Sequence, residues 1–192
     1  MNAPAAQPKI WVNSADSHVW EPPKLREENL PNHLKARGPR IDRREKADVY
    51  IVDNEEVIFM KPDMLDAISP PGMLNLDLRM ADLDEQGIWA EVVFASTGLW
   101  MTVMKDRELQ RESARVWNDW AHAELIKRSE RYLPAAMLSS ASAEDSAIEA
   151  ARCAKLGFKA LAFPTTLIEN GEYNNPEFDK VWAVAEEAGM VI

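Results

Sequence analysis

Asp16 and His18 are the residues whose types and spacing could do metal chemistry in this sequence. They follow the apolar run Ile10-Trp11-Val12, which is typical of a buried strand. Side chains two positions apart in a strand point to the same face, so we expect the carboxylate and the imidazole to converge. Oxygen and nitrogen ligands of this kind suit Zn²⁺, Mn²⁺ or Fe²⁺. The spacing alone also fits a polar loop in which both side chains are solvated or cap the backbone.

The composition narrows the classes of partner. The chain has 192 residues, 46% hydrophobic and 28% charged, which is typical of one globular domain over 1–192. Its net charge of -10 argues against nucleic acid, which needs a basic face, and against an anionic membrane surface. A single cysteine, Cys153, excludes an internal disulfide and favours a reducing compartment. The first ten residues lack the pattern of a signal peptide and no apolar run is long enough to span a membrane, so we expect a flexible arm and a cytoplasmic protein.

Strands and helices alternate along most of the chain. Strands are predicted at 9–16, 89–97, 132–140 and 158–166, with a fifth beginning at 190, and helices at 78–88, 106–129, 142–157 and 175–189. Ser142 and Asn175 are expected to cap two of the helices. Alternation of this kind predicts an α/β fold with parallel strands, either an open doubly wound sheet or part of an eight-fold barrel.

Residues 19–78 interrupt this alternation directly after the first strand. More than half of the prolines fall here, and no long amphipathic helix does. Two short strands around Asp53-Asn54-Glu55 indicate a hairpin. A connection of this length in a compact domain is usually functional, so we expect it to form a lid or a wall of the site.

Ligands of parallel α/β folds bind at the carboxyl ends of the strands. A nucleotide site would be expected to show a glycine-rich turn there, and the sequence contains neither GxGxxG nor GxxxxGK[ST]. The predicted strand ends carry Asp16 and His18 on the first strand, Ser96 and Thr97 on the second, Ser139 and Ser140 on the third, and Phe163, Pro164 and Thr165 on the fourth. Only the first of these ends offers metal ligands.

Several motifs, taken in order, resemble the amidohydrolase-related family of the metal-dependent amidohydrolase superfamily. They are "DSHVWEPP", "RMADLDEQGIWAEVVFAS", "VWNDW" with "RYLPAAML", and "FKALAFPTT" with "NPEFDKVWAVAEEAGMVI". The resemblance implies a (β/α)8 TIM barrel with an insertion after strand one. It also implies a metal-dependent hydrolase or a nonoxidative decarboxylase of a small aromatic or cyclic carboxylic acid. An acid rather than a histidine at position 16 is similar to the decarboxylase branch, which includes aminocarboxymuconate-semialdehyde decarboxylase.

The resemblance assigns the strand-one metal ligands to Asp16 and His18 and implies a divalent ion, Zn, Mn or Fe. The family's later ligands, a histidine near strand five and an aspartate on strand eight, have no counterpart before Ile192, and no catalytic acid or base is assigned here. We therefore expect only the first half of a barrel, about four to five strand-helix units. The alternative is a catalytically incomplete fragment that serves as a self-associating or interaction module; either way a homo-oligomer is expected, because half a barrel exposes sheet edges and apolar faces.

Six further residues are candidates for contacting the substrate, and three of them have a structural alternative. Glu21 could instead bond a loop backbone, Arg79 could pair with Asp82 or another acid rather than with a substrate carboxylate, and Asn118 could cap a neighbouring loop. The other three, expected to shape an aromatic pocket or its rim, are Trp20, Ser96 and Phe163.

Overall fold

The structure, a computed structural model, describes residues 9–164 and 173–192 and contains two sheets. The larger sheet is parallel and has the order β1-β5-β6-β7. Its strands are β1 (Val12–Val19), β5 (Ile88–Ala95), β6 (Tyr132–Met137) and β7 (Ala160–Ala162). Spatial order follows sequence order, as expected for successive strand-helix units with crossovers on one side. The predicted parallel α/β fold is thus confirmed, and the sheet of the described residues does not close into a barrel.

Helices join the parallel strands and cover one side of the sheet. They are α3 (Leu76–Gln86), α4 (Arg107–Ala121), α5 (Ala143–Leu156) and α6 (Asp179–Ala188), and α4 continues into a wider π-helical turn at His122–Ile126. The Ser142 side chain caps α5 by accepting the Asp145 N–H, and Asn175 caps the 3₁₀ turn Pro176–Phe178 that leads into α6. Both predicted caps are confirmed.

The insertion has its own architecture. Two short helices, α1 (Leu25–Asn29) and α2 (Met64–Ala67), flank the antiparallel strands β2 (Arg40–Arg43), β3 (Asp48–Val52) and β4 (Glu55–Met60). The insertion also contains 3₁₀ turns at Lys35–Arg37 and Pro71–Met73, and a further 3₁₀ turn at Gly98–Val103 follows β5 outside the insertion. The predicted hairpin is present as β3 and β4, with Asp53 and Asn54 at φ values of 52° and 64° in its turn.

The core lies between the parallel sheet and the helices. Trp117 of α4 is fully buried and donates its indole N–H to the Ala135 carbonyl of β6 at 3.0 Å. Hydrogen bonding of the indole removes the cost of burying its only polar group. Helix α4 is thereby fixed against the middle of the sheet.

Several predicted boundaries differ from the structure. The first strand runs from Val12 to Val19 rather than from Lys9 to Asp16, because its pairing with β5 continues to Val19 opposite Ala95. His18 therefore lies within the strand instead of after it, and Asp16 lies inside the strand rather than at its end. The long helix ends at Ala121, before the π-helical turn, and the fifth strand is present only as a parallel bridge between Val191 and Ala160.

Two predictions fall wholly or mostly on residues outside the described ones: the arm over the first ten residues, of which the structure describes only Lys9 and Ile10, and Thr165 at the end of the fourth strand. Among the described helices, none is both long enough and apolar enough to cross a membrane.

Candidate metal site and substrate cavity

Asp16 and His18 come together on one face of β1, as their spacing predicts. His18 Nε2 lies 3.5 Å from Asp16 Oδ1, and the side chains keep 36% and 85% of their surface exposed, respectively. Both groups are therefore open to an ion or a ligand from solvent. The His18 ring also lies 5.9 Å from that of Phe94, its register partner on β5.

The imidazole of His18 is oriented by the backbone of the neighbouring strand. Its Nδ1 lies 3.2 Å from the Ala95 carbonyl oxygen, which accepts a hydrogen bond when Nδ1 carries the proton. This tautomer leaves the lone pair of Nε2 directed toward Asp16, and a ring nitrogen fixed in this way is the usual support of a metal-bound histidine. The donor set therefore fits a divalent ion. Within the described residues, no third His, Cys, Asp or Glu joins the pair.

Ser17, between Asp16 and His18, contacts a buried ion pair. Its hydroxyl donates to Glu91 Oε2 at 2.5 Å and accepts from Arg79 Nη2 at 2.6 Å. The sequence leaves open whether Arg79 pairs with a substrate or with a protein acid, and in the structure its partner is Glu91 of β5. Because the Arg79 side chain is 9% exposed and already paired, substrate binding is not its role here.

Glu21 joins the end of β1 to the loop after β5. Its carboxylate accepts backbone N–H bonds from Ser96, Thr97 and Gly98 at 3.1, 2.9 and 2.7 Å, and pairs with Arg26 Nη2 at 3.0 Å. Glu21 is 3% exposed, so its loop-bonding alternative is the one observed. A Cβ at position 98 would lie 3.0 Å from the carboxylate and closer still to Arg26, so the loop approaches Glu21 only because residue 98 is glycine.

The insertion and the strand ends enclose a cavity of about 280 Å³, which we call the insertion cavity. Its walls are largely apolar and include Trp20, whose indole N–H donates to the Ser69 hydroxyl at 2.6 Å. The charged groups that line it are Glu21, Arg26, Arg40, Arg43 and Asp66. Guanidinium groups thus outnumber carboxylates here, in a chain whose net charge is -10.

Asn118 and Phe163 pack within the helix layer. Asn118 is fully buried; its amide binds both the N–H and the carbonyl of Met137, at 2.8 and 2.9 Å, and also the Glu149 carboxylate. No surface of Asn118 is left for a substrate, which corrects its assignment as a contact. Phe163 lies 5.3 and 5.4 Å from the rings of Tyr173 and Trp182, so any role toward substrate stays a prediction, as it does for Ser96.

Sequence reasoning missed Glu91, Arg26 and Arg40. Glu91 had a usable signal, because an acid in the apolar strand "IWAEVVFA" is unusual and requires a cationic partner. Arg26 and Arg40 had no usable sequence signal, because the insertion is rich in charged residues and nothing local shows which of these residues face inward.

Comparison with known proteins identifies the family of this chain. Residues 17–192 match the family model described as amidohydrolase. A search of curated proteins gives no match.

Solved structures share the fold at low sequence identity. An amidohydrolase from Mycobacterium avium subsp. paratuberculosis K-10 superposes with a TM-score of 0.76 at 20% identity, over 96% of this chain and 58% of that one. A 2,6-dihydroxybenzoate decarboxylase from Rhizobium gives a TM-score of 0.58 at 19% identity, over 94% and 48%. A 5-carboxyvanillate decarboxylase from Novosphingobium aromaticivorans, complexed with manganese, gives 0.60 at 17% identity, over 95% and 49%. This chain therefore spans roughly half the length of the structures it resembles.

Proposed function

The chain belongs to the amidohydrolase family, and from that premise we propose that it forms the metal-binding first part of a nonoxidative decarboxylase or a hydrolase of small carboxylic acids. The observation that carries the proposal is the pair of Asp16 and His18, which converge while Ala95 fixes the imidazole. Decarboxylation is favoured over hydrolysis, because an acid occupies the first ligand position and dihydroxybenzoate and carboxyvanillate decarboxylases share the fold.

Mn²⁺ is the first ion to test, since it accompanies the carboxyvanillate enzyme, with Zn²⁺ and Fe²⁺ as alternatives. Asp16 and His18 would hold it. When bound, such an ion polarises a substrate oxygen or lowers the pKa of a bound water. The carbonyl of Ala95 keeps the imidazole in the tautomer that binds metal, so the ring needs no rearrangement when an ion arrives.

The insertion cavity supports a carboxylic acid with an apolar, ring-sized body as the substrate. Its volume of about 280 Å³ accommodates a single substituted ring. Trp20, Ile41 and Leu65 offer apolar surface, whereas Arg40 offers a guanidinium that can bind a carboxylate in a bidentate manner. Walls of this kind would hold the ring, limit water and direct the acid group toward the cationic side of the cavity.

The metal assignment is tested by removing His18. We expect His18→Ala in the full-length protein to lower Mn²⁺ stoichiometry and affinity, because a single carboxylate binds the ion weakly. Bound metal is measured by elemental analysis and by calorimetric titration. His33→Ala is the matched control, because His33 is exposed and pairs with Glu108 on the surface. Equal metal stoichiometry in His18→Ala and the unchanged protein would exclude the assignment.

A second candidate function, a self-associating module, is favoured by the exposed side of β1. Ile10, Trp11 and Val12 remain 82%, 46% and 53% exposed, and β1 is the edge strand of the parallel sheet. An edge strand flanked by apolar side chains is a ready template for pairing with another chain. A self-associating module requires binding between copies of the chain and does not require a metal ion. This requirement distinguishes it from the metal-dependent enzyme proposed first.

A further inference from the structure

The strand that carries the metal pair is irregular at the point where Asp16 stands. Ser14 pairs with Glu91 and Ser17 with Val93, so three steps along β1 match two steps along β5. One extra residue is therefore accommodated at Ala15 or Asp16, which makes this a β-bulge. Bulges redirect side chains and interrupt the backbone ladder, so regular pairing with β5 does not itself hold Asp16 in place.

A side-chain contact directly after the bulge supplies the missing support. The Ser17 hydroxyl donates to Glu91 Oε2 and accepts from Arg79 Nη2, and both bonds involve a charged partner. Charge-assisted hydrogen bonds are shorter and stronger than neutral ones. The Ser17 hydroxyl therefore donates one hydrogen bond and accepts another, and together the two bonds fix its orientation.

The ion pair behind Ser17 is itself rigid. Arg79 binds Glu91 through two of its nitrogens, and the two side chains are only 9% and 1% exposed. Glu91 belongs to β5 and Arg79 to α3, so the pair joins the sheet to the helix layer. A buried pair satisfied in this manner has little freedom to rearrange.

We propose that Ser17, Glu91 and Arg79 are positioning residues that hold the bulged segment of β1, and through it Asp16 and His18, in the geometry that binds the metal. Ser17 fixes the backbone between the two ligands from the helix side of the sheet, while the Ala95 carbonyl fixes the His18 ring. This inference rests on the proposed assignment of Asp16 and His18 as metal ligands.

The test removes the Ser17 hydroxyl and restores it. Loss of a group bonded directly to a metal ligand typically lowers metal affinity about 10- to 100-fold. Ser17 acts through the backbone between the ligands, so we expect Ser17→Ala to weaken Mn²⁺ binding by about tenfold, the lower end of that range. Ser17→Thr keeps a hydroxyl on a strand-compatible side chain and should restore most of the affinity. Free Mn²⁺ is followed by electron paramagnetic resonance during titration of the full-length protein. Ser113→Ala is the control, because Ser113 also carries a buried hydroxyl but has no hydrogen-bond partner among the described residues.

A second readout needs no metal. Nitrogen chemical shifts of the His18 ring report which nitrogen carries the proton, and we expect one tautomer in the unchanged protein and in Ser17→Thr but a mixture in Ser17→Ala. If Ser17→Ala does not fold, Arg79→Lys keeps the charge, loses the bidentate geometry and should weaken Mn²⁺ binding in the same direction.

The outcomes separate this inference from the function on which it rests. If His18→Ala loses Mn²⁺ while Ser17→Ala and Arg79→Lys bind it like the unchanged protein, the positioning role is wrong and the metal site stands. If the unchanged protein binds no Mn²⁺, Zn²⁺ or Fe²⁺, the metal assignment and the positioning role both fall.

Discussion

Arg40 differs from the other two arginines of the insertion cavity in its partners. Arg26 pairs with Glu21 and Arg43 with Asp66, whereas the Arg40 guanidinium donates to the Ala36 carbonyl at 2.8 Å. In the described part of the chain, its side-chain partner is the amide of Asn54, at 3.5 Å, and no carboxylate neutralises it. Of the three charges, that of Arg40 is thus the one left to attract an acid.

We expect Arg40→Gln to weaken binding of 2,6-dihydroxybenzoate by about tenfold or more, because a hydrogen bond to a charged group contributes roughly 1.5–3 kcal/mol. Calorimetric titration measures the dissociation constant. Arg111→Gln serves as the control, since Arg111 pairs with Glu112 on the surface of α4 and loses the same charge. An affinity that falls equally in both variants would point to net charge rather than to the cavity.

Single residues of the site could be predicted from sequence only where the signal is local. The two-residue spacing of Asp16 and His18 predicts a shared face from regular strand geometry, whereas the bulge beside Asp16 has no local signal. The role of Ser17 could not be found in this way, since it depends on Glu91 and Arg79, which reach it only through the order of the strands. Long-range polar contacts of this kind have no local sequence signature.

At the scale of elements, Asp106 joins the insertion to the longest helix. Its carboxylate caps α4 by accepting the Leu109 N–H at 3.0 Å, and it also pairs with Arg37 of the insertion at 2.9 Å. The Leu109 N–H, followed by the Arg37 guanidinium, lowers the pKa of Asp106 below its usual value of 3.8. The cap and the docking of the insertion therefore depend on the same ionised group.

We expect Asp106→Ala to lower the free energy of unfolding by about 1 kcal/mol, the usual value of an N-cap, and Asp106→Asn to lower it less, because asparagine still caps. The folded pKa of Asp106 is depressed, so its charge stabilises the fold above pH 3.8 and this contribution disappears as the pH falls through the folded value. Urea unfolding at neutral and acidic pH measures the difference. A gap between the unchanged protein and Asp106→Asn that persists in acid would contradict this account.

The presence of a helix or strand was easier to predict from the sequence than the residues at which it begins and ends. Gly87 and Gly157 end their helices at φ values of 77° and 95°, and Ser142 and Asn175 are N-cap residues. Each of these signals is local in the sequence, so the positions of these helices can be predicted closely. The end of β1 was predicted wrongly, because its pairing with β5 extends through a polar segment. Strand β2 was missed for a similar reason, since the charged sequence "RIDR" forms a strand only beside β3.

At the scale of the whole molecule, apolar surface is concentrated near the start of the parallel sheet. Trp11 packs edge-on against Trp89 with ring centres 6.0 Å apart, and Arg131 lies over both rings. Ile10 and Val12 extend this surface along the edge of β1. A continuous apolar patch on an open sheet edge favours association.

We expect the chain to self-associate and Ile10→Lys to shift it toward the monomer, because a charge at this edge opposes strand pairing. Sedimentation velocity over a range of concentrations measures the shift. Ile148→Lys is a matched control, since Ile148 is 61% exposed on α5, away from the edge. A chain that stays monomeric at all concentrations would contradict the prediction and remove support from the self-associating module.

The placement of the insertion also affects the order in which the molecule assembles. β1 is synthesised before the insertion, yet its sheet neighbour β5 begins only at Ile88, after the whole insertion has been made. The strands β2, β3 and β4 pair with neighbours close in sequence, and local pairings of this kind form quickly. Closing β1 onto β5 carries a larger loop-closure entropy. The segment with Asp16 and His18 therefore gains its β5 neighbour only after a long loop has closed, so under the proposed metal assignment ion binding would report a late step of folding.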